Sequence, residues 1–162
     1  MAVTIVVEDG TGRADATTFA TAASVAIRLE SHPFGSAFAT TTLDKDALVV
    51  EASKWLGRIT WDGYRREDTQ TLAFPRVGLL TPDQYEVPYT SVPEFLLEAH
   101  ARVCLYLAQQ TETPFGDTGL AAGTALKVGP IELTPASAAR VTSDIRDLIA
   151  PYSRGRSSLV RG

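Results

Sequence analysis

The feature that constrains this chain most is a long stretch with no periodic pattern. Residues 57–90 separate two segments of helical periodicity and show no helical repeat of their own. A connection of about 30 residues without a helix is uncommon inside a compact fold and usually serves a function. This one is not polar. Gln70-Thr71-Leu72-Ala73-Phe74-Pro75-Arg76 lies between Trp61-Asp62-Gly63 and Glu86-Val87-Pro88. That composition predicts a loop packed onto the body of the protein. Trp61, Leu72 and Phe74 would lie against the flanking helices, while Gln70, Pro75 and Arg76 shape the loop.

The flanks read as helices. Thr21 can cap a first helix whose Ala22, Val25, Ala26 and Leu29 share a face, and His32-Pro33-Phe34-Gly35 ends it. After a threonine-rich loop, a second helix starts at Asp44, carries Leu48, Ala52 and Trp55 with Val49, Val50 and Leu56, and breaks at Gly57. Beyond the loop, Ser91 and Pro93 open the strongest helix, residues 94–110. Its stripe is Phe95, Leu96, Ala99, Val103, Cys104, Tyr106 and Leu107. Residues 3–7 read as a short strand or extended arm ending in Asp9-Gly10-Thr11-Gly12. Residues 125–133 alternate around Gly129-Pro130 as a two-stranded ribbon, and Pro135 opens a last helix that Pro151 stops. The expectation is a mainly α fold: a small bundle of about four helices, a long packed loop, and a short β-ribbon before the last helix. One domain would cover residues 1–152, with a flexible basic tail over 153–162.

Composition narrows the function classes. A chain of 162 residues, 44% hydrophobic and 21% charged, can bury a core without disulfides or metal. The single Cys104 sits in an apolar run and reads as a buried hydrophobe. A net charge of −4 argues against a free-standing nucleic-acid binder. Met1 to Glu8 has no basic leader followed by an apolar core, and no apolar run is long enough for a membrane helix, so synthesis in the cytoplasm and no membrane partner are expected.

Catalytic chemistry is hard to assemble from these residues. His32 and His100 are far apart in sequence and have no cysteine pair, so no metal or cofactor site is expected. Gly10-Thr11-Gly12 lacks the Gly-Lys-Ser/Thr of a phosphate loop. Asp44/Asp46 and Glu67/Asp68 fit helix capping or solvation. The cluster Trp61, Tyr64, Arg65 and Arg66 has the residue types of a single-strand stacking platform, but Glu67 and Asp68 adjoin it. Trp61 packed inward and the arginines solvated or paired with those acids is the favoured reading. No catalytic residues are expected, and an enzyme is not.

Several motifs together carry a family resemblance. They are Ala52-Ser53-Lys54-Trp55-Leu56, Trp61-Asp62-Gly63, Gln70-Thr71-Leu72-Ala73-Phe74-Pro75-Arg76, Val87-Pro88, Val128-Gly129-Pro130-Ile131-Glu132-Leu133 and Leu148-Ile149-Ala150-Pro151. In this order they resemble tailed-phage proteins often labelled DnaT-like single-stranded DNA-binding protein, a group similar to head–tail adaptor (connector) proteins. The resemblance spans roughly residues 15–152, and Phe74 stands where a tryptophan is common. It implies a structural virion subunit at the head–tail junction. Such subunits form a dodecameric ring under the portal protein, dock a tail or tail-completion protein, and let genomic DNA pass through the lumen without specific binding. The alternative is a single-stranded DNA-binding protein of phage replication. Partner contacts to the portal or to a neighbouring subunit are expected at Tyr152, Arg154, Arg156, Leu159 and Val160 of the tail. Val128, Gly129, Pro130 and Ile131 of the ribbon are the further candidates.

Overall fold

The structure is a computed structural model that describes residues 3–109, 126–128, 131–133 and 136–153. Its helices are α1 (Ala22–Leu29), α2 (Ser36–Thr40), α3 (Lys45–Gly57), α4 (Glu94–Gln109) and α5 (Ala136–Ile149). Two antiparallel strand pairs accompany them. β1 (Tyr64–Arg65) pairs with β2 (Arg76–Val77) inside the central loop, and β3 (Leu126–Val128) pairs with β4 (Ile131–Leu133) ahead of α5. The fold is mainly helical with a small ribbon before the last helix, as the periodicity predicts.

Capping sets the helix starts. The Thr21 hydroxyl accepts from the Ser24 amide, and the Asp44 carboxylate accepts from the amides of Asp46 and Ala47. Each fills orphan donors of a first turn and stabilises by about 1 kcal/mol. α4 is the axis of the bundle and packs against α1, α2, α3 and α5. Its Leu96, Ala99, Val103, Cys104 and Leu107 are buried, and burial pushes the Cys104 thiol pKa well up. From α3, Val49, Ala52 and Leu56 meet it. Each fully buried Leu or Val contributes about 1.5–3 kcal/mol.

Two elements depart from the sequence reading. A short helix, α2, follows the first one, where a plain loop was expected. It buries Phe38, and it begins where the chain reverses at Gly35. A Cβ on Gly35 would fall 1.9 Å from the Leu29 carbonyl oxygen. The central loop also contains the two-residue strands β1 and β2, too short for any alternation to register. The last helix ends at Ile149 as expected, and Pro151 sits in a 3-10 turn, Ala150–Tyr152. No helix among the described residues is long and apolar enough to cross a membrane.

The N-terminal arm is bound to the central loop. Thr17 and Glu8 amides donate to the carbonyls of Val6 (2.8 Å) and Thr18 (2.9 Å). The buried Glu8 carboxylate then accepts from the amides of Gly10, Gly12 and Arg13, each at 2.9 Å, so the turn winds around a single side chain. Gly10 has φ +95, and a Cβ there would lie 2.4 Å from the Thr90 carbonyl oxygen, so only glycine fits. Thr71 closes the contact through the carbonyls of Arg13 and Ala14.

Candidate functional site

The central loop is built around its own main chain. Arg76 enters on β2 and holds the loop together like a clasp. Its Nε donates to the Asp62 carbonyl (2.7 Å), and Nη2 donates to Gly63 (2.7 Å) and Trp61 (3.4 Å). Nη1 donates to Ala73 at 3.3 Å. The fixed fork of a guanidinium can reach several carbonyls at once, which an ammonium cannot. Gln70 does the same from the other side. Its Nε2 donates to Leu72 (2.9 Å) and Pro75 (3.2 Å), while its Oε1 accepts from the Glu67 amide (3.0 Å). The Phe74–Pro75 peptide is cis. We expect Arg76→Lys to cost about 1–2 kcal/mol, because it strips charged hydrogen bonds from half-buried carbonyls. Chemical denaturation would register this as a lower midpoint, and an unchanged midpoint would mean that solvent replaces the clasp.

Beneath the clasp lies an aromatic chain. Trp61 is buried, and its Nε1 donates to the Leu56 carbonyl at the end of α3 (3.0 Å). Its ring meets Phe74 edge-on at 4.9 Å. Phe74 in turn meets Phe95 of α4 at 6.0 Å and Phe19 of the arm at 6.5 Å. Phe95 then stacks on Tyr152 at 3.7 Å and 8°. The loop therefore packs against α3 through Trp61 and against α4 through Phe74, with Leu72 and Pro75 also buried.

The basic–aromatic cluster divides. Trp61 faces inward, while Tyr64 faces out at 74% exposure. Arg66 does not lie free in solvent. Its Nη1 donates to the carbonyls of Gly10 (2.6 Å) and Tyr89 (3.3 Å), and it approaches Glu67 at 3.7 Å. Arg65 donates to the Gln70 carbonyl at 3.3 Å. The expected acid pairing is thus present only at Glu67, and backbone carbonyls are the main partners. No pattern in the sequence points to those carbonyls, because they come from chain segments far away in sequence.

The remaining polar residues offer little chemistry. His100 is sealed between α4, α3 and the arm. Its Nε2 lies 2.9 Å from the Val49 carbonyl, 3.1 Å from Ser53 Oγ and 3.4 Å from Thr18 Oγ1. A carbonyl can only accept, so the proton sits on Nε2. Nδ1 is buried without a partner, and burial holds the pKa down to about 4. The serine–histidine contact therefore has no open face and no carboxylate behind it. Among the described residues no three His, Cys, Asp or Glu side chains gather where they could hold a metal ion.

The candidate partner residues fall in three places. Tyr152 is half-buried, with its ring on Phe95 and its carbonyl accepting from the Asp62 amide at 3.0 Å. Val128 and Ile131 pair across the β3–β4 ribbon. Gly129, Pro130, Arg154, Arg156, Leu159 and Val160 lie outside the described residues. The segments meeting at the central loop are the arm, the end of α3, the start of α4 and the 3-10 turn after α5.

A family model described as "Putative DnaT-like ssDNA binding protein" matches residues 3–162. No curated protein and no solved structure matches the chain.

Proposed function

We propose, for a chain that belongs to the putative DnaT-like ssDNA binding protein family, a structural role and not a catalytic one. It is a subunit of a ring at the head–tail junction of a tailed bacteriophage. In this reading the ring sits under the portal protein, extends the DNA channel and docks the tail. It needs no cofactor and no active site, and genomic DNA passes without specific binding.

One observation carries this reading. The arginines and large aromatics that a single-strand binder would offer to phosphates and bases hold the loop's own shape instead. Arg76 and Arg66 grip main-chain carbonyls, and Trp61 and Phe74 are buried. Phosphate neutralisation dominates the affinity of sequence-independent binders, and the net charge of −4 offers little of it. A preshaped loop suits a surface that must meet a protein neighbour at low entropic cost.

A second reading is single-stranded DNA binding. The family's description favours it over the structural role, and the exposed rings of Tyr64 and Tyr85 are its best support. Fluorescence anisotropy with a labelled oligonucleotide at physiological salt separates the two. The structural reading expects no binding tighter than about 1 μM, together with decoration of co-purified portal rings seen by electron microscopy. Tight binding that weakens steeply with salt, and bare portals, would establish the second reading instead.

A further inference from the structure

The N-terminal arm is held along one edge only. Thr4, Val6 and Glu8 turn their main chain inward. The Thr4 carbonyl accepts from the Thr17 hydroxyl (3.0 Å), and the Val6 amide donates to the same hydroxyl (2.9 Å). The Val6 carbonyl accepts from the amides of Thr17 and Thr18, and the Glu8 amide donates to the Thr18 carbonyl. This is a parallel bridge between Val7 and Thr18. In such a pattern the main chain of alternate residues faces opposite edges. The amides and carbonyls of Ile5 and Val7 therefore face outward, and none of them has a partner among the described residues. Val3 continues the same alternation.

The layering puts that edge on the outside. Thr18 is fully buried and stands between the two layers. Its main chain is bonded to the arm, and its hydroxyl reaches the Val49 carbonyl of α3 (3.2 Å). Thr4 is exposed, and Val3, Ile5, Val6 and Val7 are half-buried. Open strand edges are templates for another chain, and proteins usually guard them with lysine, proline or a bulge. Residues 3–7 read Val-Thr-Ile-Val-Val, with neither lysine nor proline. All five are β-branched and suit a strand.

The edge is its own complement. Set antiparallel about Ile5, Val3, Ile5 and Val7 of one copy meet Val7, Ile5 and Val3 of the other, and each pair exchanges amide and carbonyl. No charge lies within residues 3–7, so nothing repels the approach. The overlap ends where the turn closes around the Glu8 carboxylate. A pair of identical arms also uses up both open edges. A hairpin or any other two-edged strand would leave a fresh one beside it.

We propose that the outer edge of the arm pairs with the same edge of a second copy, making a continuous sheet across two subunits. The contact is isologous and closes at two. It goes beyond the head–tail reading and belongs to the chain free in solution, where it shields an edge that would otherwise collect other strands.

Proline distinguishes the two edges. Val7→Pro removes an amide hydrogen that only the outer edge can use, and its ring stands in the path of a second strand. Equilibrium sedimentation should show the wild-type chain as a dimer and Val7→Pro as a monomer, with self-association weakened by at least about tenfold. The melting curve should stay near wild type, because residues 4, 6 and 8 make the inward bonds. If Val7→Pro misfolds, cysteine pairing keeps the readout. The register sets Thr4 opposite Val6 of the second copy, at a separation that a disulfide spans. The native Cys104 is buried and takes no part. Under mild oxidation Thr4→Cys mixed with Val6→Cys should crosslink at least about tenfold faster than either variant alone. A wild-type chain monomeric up to about 100 μM, a dimer or larger ring that Val7→Pro leaves intact, or equal crosslinking in the mixture and in the single variants would overturn the contact.

Discussion

Phe74→Ala should lower stability by about 3–5 kcal/mol, the usual cost of emptying a buried phenylalanine site. The ring is fully buried and touches Trp61, Phe95 and Phe19, which come from three different segments. Those neighbours are held by other contacts, so they cannot close the space. Trp61 is fixed by its hydrogen bond to Leu56, and Phe95 by its stack on Tyr152. At roughly 2–4 °C per kcal/mol for a domain of this size, the melting temperature should fall by about 6–20 °C. Phe74→Leu keeps most of the volume and should cost less than about 1.5 kcal/mol. Circular dichroism melts of both variants check the ordering. Identical curves for wild type and Phe74→Ala would mean that the ring contributes nothing to the core.

The second large effect is a loss of stability on mild acidification, traced to His100. In the unfolded chain its imidazole takes up a proton as the pH falls through 6.5, whereas burial holds the folded value to about 4. The folded-state pKa is depressed for a base, so below pH 6.5 the unfolded state binds more protons. Stability is therefore complete above pH 6.5 and declines between 6.5 and about 4, by about 3 kcal/mol in total. The carboxylates held down by their partners act lower. Arg13 lowers Asp15 by hydrogen bonding, and Arg28 does so for Glu94. Their contributions are lost as the pH falls through the carboxylate range. Urea midpoints measured from pH 8 to 4 should drop in wild type. In His100→Gln, which retains an N–H for the Val49 carbonyl, the profile should be flatter over the same window, although the variant starts from lower stability. Parallel profiles would assign the acid sensitivity elsewhere.

The helices were readable because their signals are local. Thr21 and Asp44 cap within three residues, and the α4 stripe repeats over four turns. The packed loop was readable from composition, since Trp61, Leu72 and Phe74 have no reason to stand in solvent. Residue roles that depend on distant backbone were not. Arg66 looks like a surface charge next to two acids, but its partners are carbonyls of residues 10 and 89. Glu8 looks like the polar end of a strand, yet it is the buried centre of a turn. His100 stands on a helix with apolar neighbours, and its partners come from α3 and from Thr18. α2 and the β1–β2 pair are shorter than any period that could reveal them.

The meeting of the arm, the loop and the turn after α5 also bears on the order of synthesis. As the ribosome delivers the chain, α1, α3 and α4 can begin to pair early. Phe95, however, stays uncovered on one side until Tyr152 emerges to stack on it. A nascent chain thus carries an open aromatic surface through the translation of more than fifty further residues, the interval between those two rings. Exposed aromatic surface on an incomplete chain invites association. Synthesis stalled or cut before residue 152 should yield aggregating fragments, while release just beyond it yields soluble chains.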